Sequence, residues 1–349
     1  MIGNEESVAH EPRRRPKQNS AMQKEKAPRN KTIDLPLSEG MDYLGRCIKV
    51  DRSVAGIADV LDKTVLGDMF TVCPLLPPES MDLIIADPPY NLTKSFNGRR
   101  FSRKSTADYE EYTRRWLALI QPLLKPTGSV YVCCDWESSL VVGRVLGEFF
   151  KIRSRITWQR EKGRGAGANW KNGLEDIWYA TGSDLYTFNL DAVKIRKKVV
   201  APYRVGGKPK DWAETERGKY RDTCPSNFWD DITIPFWSMP ENTAHPTQKP
   251  EKLIAKIMLA SSNPGDTVFD PFLGSGTTSV VAAKLGRRYL GVEIEEQYCL
   301  WAEKRLEAAR ENPAIQGYAD GVFWARNSRT EQNAVPRKRK PAKTAGGVT

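Results

Sequence analysis

The sequence predicts an α/β fold, a mostly parallel sheet with helices on both faces. Short apolar runs of strand length alternate with longer stretches of helix length, and that alternation implies parallel pairing through crossover connections. Runs such as "MDLIIA" at 81–86 are of the kind that forms a buried strand. At 349 residues and 40% hydrophobic content, the chain has room for a sizeable core, as one large domain with an insertion or as two domains.

Along the chain, "KTVLGDMF" (63–70) and "MDLIIADPP" (81–89) read as two strands joined through "PLLPPES". A helix is expected over 106–124, stopped by Pro126, then a strand at 128–135, a helix at 138–150, and strands at 151–159 and 176–182. From about 185 to 244 the alternation breaks into a segment rich in Trp, Pro and Lys/Arg, which reads as an insertion with its own task. A helix over 249–262, a strand at 266–272, a turn "LGSGTT", a helix at 279–286, a strand at 288–294 and a helix over 295–310 complete the core. The expected organisation is a disordered basic tail (1–35), a first half of the main domain (36–184), the insertion (185–244), a second half (245–325) and a second disordered basic tail (326–349).

Composition excludes several classes. No apolar run approaches the ~20 residues that span a bilayer, so no membrane partner is expected. The N-terminus lacks the apolar stretch of a signal peptide. Six cysteines without C-x-x-C spacing read as reduced structural thiols in a cytoplasmic protein, with neither zinc nor disulfides indicated. The net charge of +11 suggests a polyanion. Residues 1–31 carry eight Lys/Arg against four acids and 331–349 five against one, which leaves only +3 for the rest. Local runs say more. Residues 91–104 carry five basic side chains against no acid, and 151–210 fourteen against five, in Gly- or Asn-containing loops that a nucleic-acid backbone suits.

Two stretches carry chemistry. In "DTVFDPFLGSGTTSVVAAKLGRRYLGVEI" a strand runs into a glycine turn and a helix, and the next strand ends in Glu293. Glycines admit close approach of backbone to ligand, the helix N-terminus offers free N–H groups, and an acid at the following strand tip suits ribose hydroxyls. That is a nucleoside-cofactor pattern, and without Gly-Lys-Ser/Thr it is not a P-loop. The second stretch is Asp87-Pro88-Pro89-Tyr90, at the carboxyl end of its strand. Its prolines donate no N–H, so the Asp87 and Pro88 carbonyls and the Asp87 carboxylate form a cluster of acceptors only. The complement of such a cluster is an –NH₂ group, and the Tyr90 ring offers a face on which a base can stack.

"DPPY", "FDPFLGSGTT" and "HPTQKP" (245–250) together resemble the DNA amino-methyltransferases that use S-adenosylmethionine, and their order is similar to the circularly permuted beta group. The resemblance spans roughly 45 to 310. It implies a Rossmann-like methyltransferase sheet, with S-adenosyl-L-methionine as cofactor and double-stranded DNA as substrate. Its catalytic residues would be Asp87, Pro88, Pro89 and Tyr90. The cofactor would be held by Asp270, Pro271, Phe272, Gly274, Ser275, Gly276 and Thr277, by Glu293 at the ribose and by Asp68 near the adenine. Thr247 and Lys249 would reach its methionine carboxylate; a plain helix-start role for "HPTQKP" is the alternative. Asp at the first position of the motif resembles the adenine-N6 enzymes.

DNA phosphates are expected along Lys94, Arg99, Arg100, Arg103 and Lys104, along Arg160, Lys162, Arg164 and Lys171, and along Lys194, Arg196, Lys197 and Lys198, with the insertion reading the target. Trp212, Trp229 and Trp237 read as the insertion's own small core. Ring-carbon methylation of cytosine is set aside, because the sequence has Cys-Pro twice and never Pro-Cys. Cytosine-N4 transfer, RNA methylation and a DNA-binding protein with an inactive pocket stand as alternatives. The resemblance also allows a homodimer and a cognate restriction endonuclease as partners. Removing 336–349 is expected to weaken DNA binding modestly and to flatten its salt dependence, measured by titrating binding against ionic strength; unchanged binding would make that tail a bystander.

Overall fold

The computed structural model describes residues 26–96, 99–160, 167–200, 202–215, 218–326 and 328. Its centre is an eight-stranded sheet. In chain order the elements are β1 (Lys63–Leu66), β2 (Met81–Ala86), α1 (Thr106–Ile120), β3 (Leu124–Cys134), α2 (Trp136–Phe149), β4 (Lys151–Gln159) and β5 (Leu174–Thr181). Then come β6 (Ile195–Lys198), β7 (Ala213–Thr215), β8 (Gly218–Thr223), β9 (Phe228–Trp229), α3 (Glu251–Ser261) and β10 (Thr267–Asp270). The chain closes with α4 (Thr277–Lys284), β11 (Arg288–Glu293), α5 (Glu296–Glu311), β12 (Tyr318–Ala319) and β13 (Val322–Trp324). The large sheet has the order β1-β11-β10-β2-β3-β5-β4-β9. Every neighbouring pair in it is parallel except those made by β5, which runs antiparallel to both β3 and β4.

The strands read as unbroken apolar runs because both of their faces are covered. Leu83 and Ile85 point to the side that carries Leu253, Ile257 and Val281, whereas Ile84 and Ala86 face Trp116, Leu117, Val142 and Leu146. Polar caps fix where the covering helices begin. The Ser105 hydroxyl accepts from the Asp108 N–H at 3.1 Å, and Asp135 Oδ1 accepts from the Ser138 N–H at 3.0 Å, each satisfying an otherwise orphaned first-turn donor.

Four expectations need correction. The helix α1 ends at Ile120, before a single 3-10 turn at Gln121–Leu123, and Pro126 lies inside β3 rather than stopping the helix. Residues 26–35, assigned above to a disordered tail, form an ordered strap. Ile33 exchanges backbone bonds with Asn242 and Ala244, and Ile33, Leu35 and Leu37 pack on Tyr298, Leu300 and Trp301 of α5, which is an apolar interest that a purely charged tail lacks. The segment 185–244 is not a separate unit. It supplies β6, β7 and β8 to a second sheet of order β7-β8-β6-β13-β12, two strands of which come from beyond 310, inside the expected second half of the main domain. The same segment returns β9 to the edge of the large sheet, where Trp229 joins the main core; Trp237 is half exposed, and only Trp212 stays within the insertion. Apart from Arg326, which donates to the Ile232 carbonyl at 2.8 Å, and Ser328, which donates to the Ala325 carbonyl at 2.6 Å, the remaining parts of the two tails lie outside the described residues.

Gly276 begins α4 with φ of +84°, and a Cβ there would lie 2.5 Å from the Ala302 Cβ and 2.8 Å from its Cα on α5. Gly276→Ala therefore combines an unfavourable backbone conformation with a clash against backbone. A loss of about 2 kcal/mol or more is expected in denaturant unfolding.

Candidate active site

The strands β2 and β10 lie side by side at the centre of the sheet, and the order of connection reverses there: one neighbour chain runs on through β3, the other through β11. Loops leaving the carboxyl ends of such strands diverge and open a crevice. Asp87 follows β2, and Asp270 ends β10. Between them is a cavity of 460 Å³, in the range that holds a small organic ligand. Its wall joins Asp87 to Tyr90, Asp270 to Ser275, Thr277, Glu293, Asp68, and His245 with Thr247 to Lys249. Gly276 does not belong to that wall; its role is the close packing on α5 described above.

On the glycine side, acids organise the turn. Asp270 Oδ1 accepts from the Phe272 N–H at 2.9 Å, and its Oδ2 accepts from the Thr278 hydroxyl at 2.6 Å, tying strand end to helix start. Glu293 Oε2 accepts from the Gly274 N–H at 2.7 Å and Oε1 from the Glu295 N–H at 2.8 Å. Burial lifts both carboxyls to about 7, against the pull of these hydrogen bonds. Gly274 has φ of +55°, and the His245 ring lies over it. That ring packs edge-on against Tyr298 and accepts the Thr247 N–H on Nδ1. Burial, helped by Lys249 and Lys94, lowers its pKa to about 3, so His245 is a neutral cover.

From below, Arg305 of α5 donates to the Ser275 carbonyl at 2.8 Å and to the Thr277 hydroxyl oxygen at 2.9 Å, and it pairs with Glu251 at 3.2 Å. The Thr277 hydroxyl in turn donates to the Lys249 carbonyl at 3.0 Å, so the turn and the "HPTQKP" segment are one construction. Pro250 is also the N-cap of α3, and the motif does start a helix. Acids line this half and suit a cationic ligand with hydroxyls; the donor set fits S-adenosylmethionine, whose sulfonium and amino groups are positive and whose ribose is a diol.

On the Asp87 side the motif is held by side chains from elsewhere. The Pro89 carbonyl accepts from the Tyr109 hydroxyl at 3.2 Å. The Tyr90 hydroxyl donates to Asp87 Oδ1 at 2.9 Å and lies 3.3 Å from Glu175 Oε2. Lys249 donates to Asp87 Oδ2 at 2.6 Å and to the Tyr90 hydroxyl oxygen at 3.0 Å, and stands 3.5 Å from Glu175. Lys249 is therefore held at the acceptor cluster by Asp87, Glu175 and Tyr90, although it also lines the cavity where a methionine carboxylate was expected. Burial disfavours its charge, but Asp87 and Glu175 outweigh burial and raise its pKa. Burial, with Asp87 and Glu175 beside it, lifts the Tyr90 phenol well above its ordinary value and keeps it a neutral donor.

The expected DNA contacts divide. Arg160 turns into the cavity and pairs with Glu175 at 2.5 Å. Lys194 pairs with Asp191, and Arg196 forms a two-pronged contact with Asp222 across neighbouring strands, at 2.8 and 2.7 Å, so both are already neutralised. Arg103 pairs with Glu137 on the surface. Lys104, Lys171, Lys197 and Lys198 are exposed, and Lys94 borders the cavity. Arg99 and Arg100 are described only as backbone, in a hairpin with Lys94–Phe96, and Lys162 and Arg164 lie outside the described residues. The side chains missed by sequence reasoning are Glu175, Arg305 and Glu251. None stands in a local motif; each becomes visible only through partners 28 or more positions away, apart from the Arg160–Glu175 pair.

Comparison with known proteins agrees with this geometry. A family model described as DNA methylase, for N6 and N4 methyltransferases, matches residues 81–304. DNA adenine methyltransferase YhdJ of Escherichia coli (strain K12) is 35% identical over 251 residues, 71% of this chain and 83% of that protein. Type II methyltransferase M2.DpnII of Streptococcus pneumoniae is 34% identical over 71% of this chain and 90% of its own. Among solved structures, the PvuII DNA methyltransferase (cytosine-N4-specific) superposes with a TM-score of 0.52 at 17% identity, covering 75% of this chain and 93% of that one, a likeness of fold. With Asp-Pro-Pro-Tyr and the glycine turn opening into one cavity from adjacent strands, the chain belongs to the DNA methylase family, S-adenosylmethionine-dependent enzymes that methylate exocyclic amines of DNA bases.

Proposed function

We propose that this protein is a site-specific DNA methyltransferase acting on N6 of an adenine turned out of the duplex, with Asp87, Pro88, Pro89 and Tyr90 at the reacting amine. One observation carries the reading: the acceptor cluster after β2 and the acid-lined glycine turn after β10 share one cavity, so a base amine and a methyl donor would meet there. Adenine is favoured over cytosine by Asp at the head of the motif and by the relative named as an adenine methyltransferase. In this reading Asp68, Thr247, Asp270 to Ser275, Thr277 and Glu293 hold the cofactor, and exposed Lys104, Lys171, Lys197 and Lys198 serve the DNA backbone. The second sheet reads the target. A cytoplasmic setting fits the six free cysteines, and a homodimer and a partner endonuclease extend the same reading.

The chemistry asked of the chain is modest. The lone pair of an adenine amine is delocalised into the ring. Accepting its two N–H groups at Asp87 and at the Pro88 carbonyl favours a tetrahedral nitrogen with its lone pair directed along the cavity. Bound S-adenosylmethionine supplies the electrophilic methyl group. Asp87 also stabilises the positive charge that develops on nitrogen and takes the N–H proton that the methylated amine must release, and positioning with electrostatics accounts for the rest of catalysis. Tyr90 anchors Asp87 through its hydroxyl and presents its ring to the base. The cost of unstacking the target falls on DNA contacts outside the cavity.

Incubation with S-adenosylmethionine and mixed-sequence duplex DNA, followed by nucleoside mass spectrometry, should yield N6-methyladenine. N4-methylcytosine would overturn the adenine reading, and no methylated base would overturn the enzyme. Asp87→Ala should lower the turnover number by about 10²-fold or more while cofactor binding persists, checked by calorimetry beside the activity assay. A pH dependence follows from Glu293, whose pKa burial raises to about 7 in the folded protein. The ribose hydroxyls are best accepted by the ionised carboxylate, so affinity for S-adenosylmethionine should rise from pH 6 to pH 8, with proton release on binding below about pH 7. Glu293→Gln should bind more weakly and lose part of that dependence, the remainder following Asp270, which burial also raises to about 7, measured by calorimetry at several pH values.

A further inference from the structure

Beneath the acceptor motif lie two acids and two bases that the proposed reaction does not require as a group: Asp87, Glu175, Lys249 and Arg160. Glu175 and Lys249 are buried, and the four groups pair off into two acid–base couples, Lys249 with Asp87 and Arg160 with Glu175. Both oxygens of Asp87 are engaged, Oδ1 by the Tyr90 hydroxyl at 2.9 Å and Oδ2 by the Lys249 ammonium at 2.6 Å. An incoming amine must therefore share an acceptor oxygen with a donor already in place, and an oxygen bonded to an ammonium is the weaker acceptor. Glu175 has one oxygen fixed by Arg160, and its other oxygen faces Lys249 at 3.5 Å and Tyr90 at 3.3 Å. A displacement of about 1 Å would turn the 3.5 Å approach into a full charge-assisted hydrogen bond.

We infer that Glu175 is a positioning residue that takes over the Lys249 ammonium when the target amine reaches Asp87. The exchange leaves the ammonium paired throughout, whereas pulling a buried ammonium off its sole carboxylate is strongly unfavourable. Glu175 thus keeps Asp87 available without leaving a bare cation beside a positively charged methyl donor. Its place on β5, the antiparallel strand, sets it across the cavity floor from β2, and Arg160 at the end of β4 holds its far oxygen. The inference rests on the proposed reading of the site.

The test is a double-variant cycle in the full-length protein with S-adenosylmethionine and mixed-sequence duplex DNA, following kcat and KM by mass spectrometry of the methylated base. Glu175→Gln should lower kcat about tenfold or more, with affinity for S-adenosylmethionine retained, because the ammonium stays on Asp87. Adding Lys249→Met to Glu175→Gln should raise kcat above that of the single variant. A structural role for the pair predicts the opposite, a further loss, and that result overturns the exchange, as does wild-type kcat in Glu175→Gln.

Should Glu175→Gln not fold, the wild-type protein supplies the measurement. The Lys249 ammonium resonance, assigned by its absence in Lys249→Arg, is compared with two duplexes. One carries the sequence that the wild type methylates, the other has purine in place of the methylated adenine. A shift with the first and not the second supports the exchange, and equal shifts or none refute it. Absence of product from the wild type would instead remove the methyltransferase reading itself.

Discussion

The parallel pairing of β2 with β10, Leu83 beside Val268 and Ile84 beside Phe269, is the constraint from which the site follows. Two buried strands locked in register must end at nearly the same height, so the groups after them meet. One strand hands on an acid and two prolines, the other an acid and a glycine turn. Because β11 lies next to β10, Glu293 arrives beside that turn and can take the Gly274 N–H. Nothing in the loops has to find its partner by itself. The sheet delivers both half-sites already opposed, and the two faces of apolar packing keep them there.

Burial makes the charges of this site informative. Asp270 and Glu293 stay in the wall only because backbone N–H groups and a hydroxyl compensate part of their desolvation, and the residual burden appears as carboxyls raised to about 7. A cationic methyl donor relieves that burden. On the other side, Lys249 and Arg160 are balanced by Asp87 and Glu175, while the neutral His245 ring covers the glycine turn. In the proposed reading, an acid-rich half for the donor and a balanced half for the base are what a transfer from sulfonium to amine calls for.

Much of this was legible in the sequence, for identifiable reasons. Strand, turn, helix and terminal acid are local patterns, and so is a proline pair closing an apolar run; both half-sites could be read without any knowledge of tertiary contacts. The failures have the opposite character. The pairing of Lys249 with Asp87 and Tyr90 escaped notice because those partners stand 162 and 159 positions away. Glu175 looks like one polar residue at the head of an apolar strand. The run of lysines and arginines at 194–198 suggested a phosphate track, yet Arg196 is spoken for by Asp222 on the adjacent strand, a pairing that a charge count along the chain does not register. The strap was lost for a related reason: Ile33, Leu35 and Leu37 alternate with an acid and a proline just after a polar, basic stretch, and their counterpart on α5 lies more than 250 residues downstream.

The second sheet is made of two pieces of chain. Ile195–Lys198 sits between Gly218–Thr223 and Val322–Trp324, so a strand from beyond α5 closes one side of what the linear order presents as an insertion. A buried Lys252 on α3 further holds the Trp324 and Asp231 carbonyls together, at 2.6 and 2.7 Å. Such a module cannot be moved between related enzymes by exchanging residues 185–244 alone. The graft would arrive with an unpaired strand edge and leave behind the strand shaped to fill it. Modular exchange in this scaffold has to cut twice and carry the segment after α5 along with the middle of the chain.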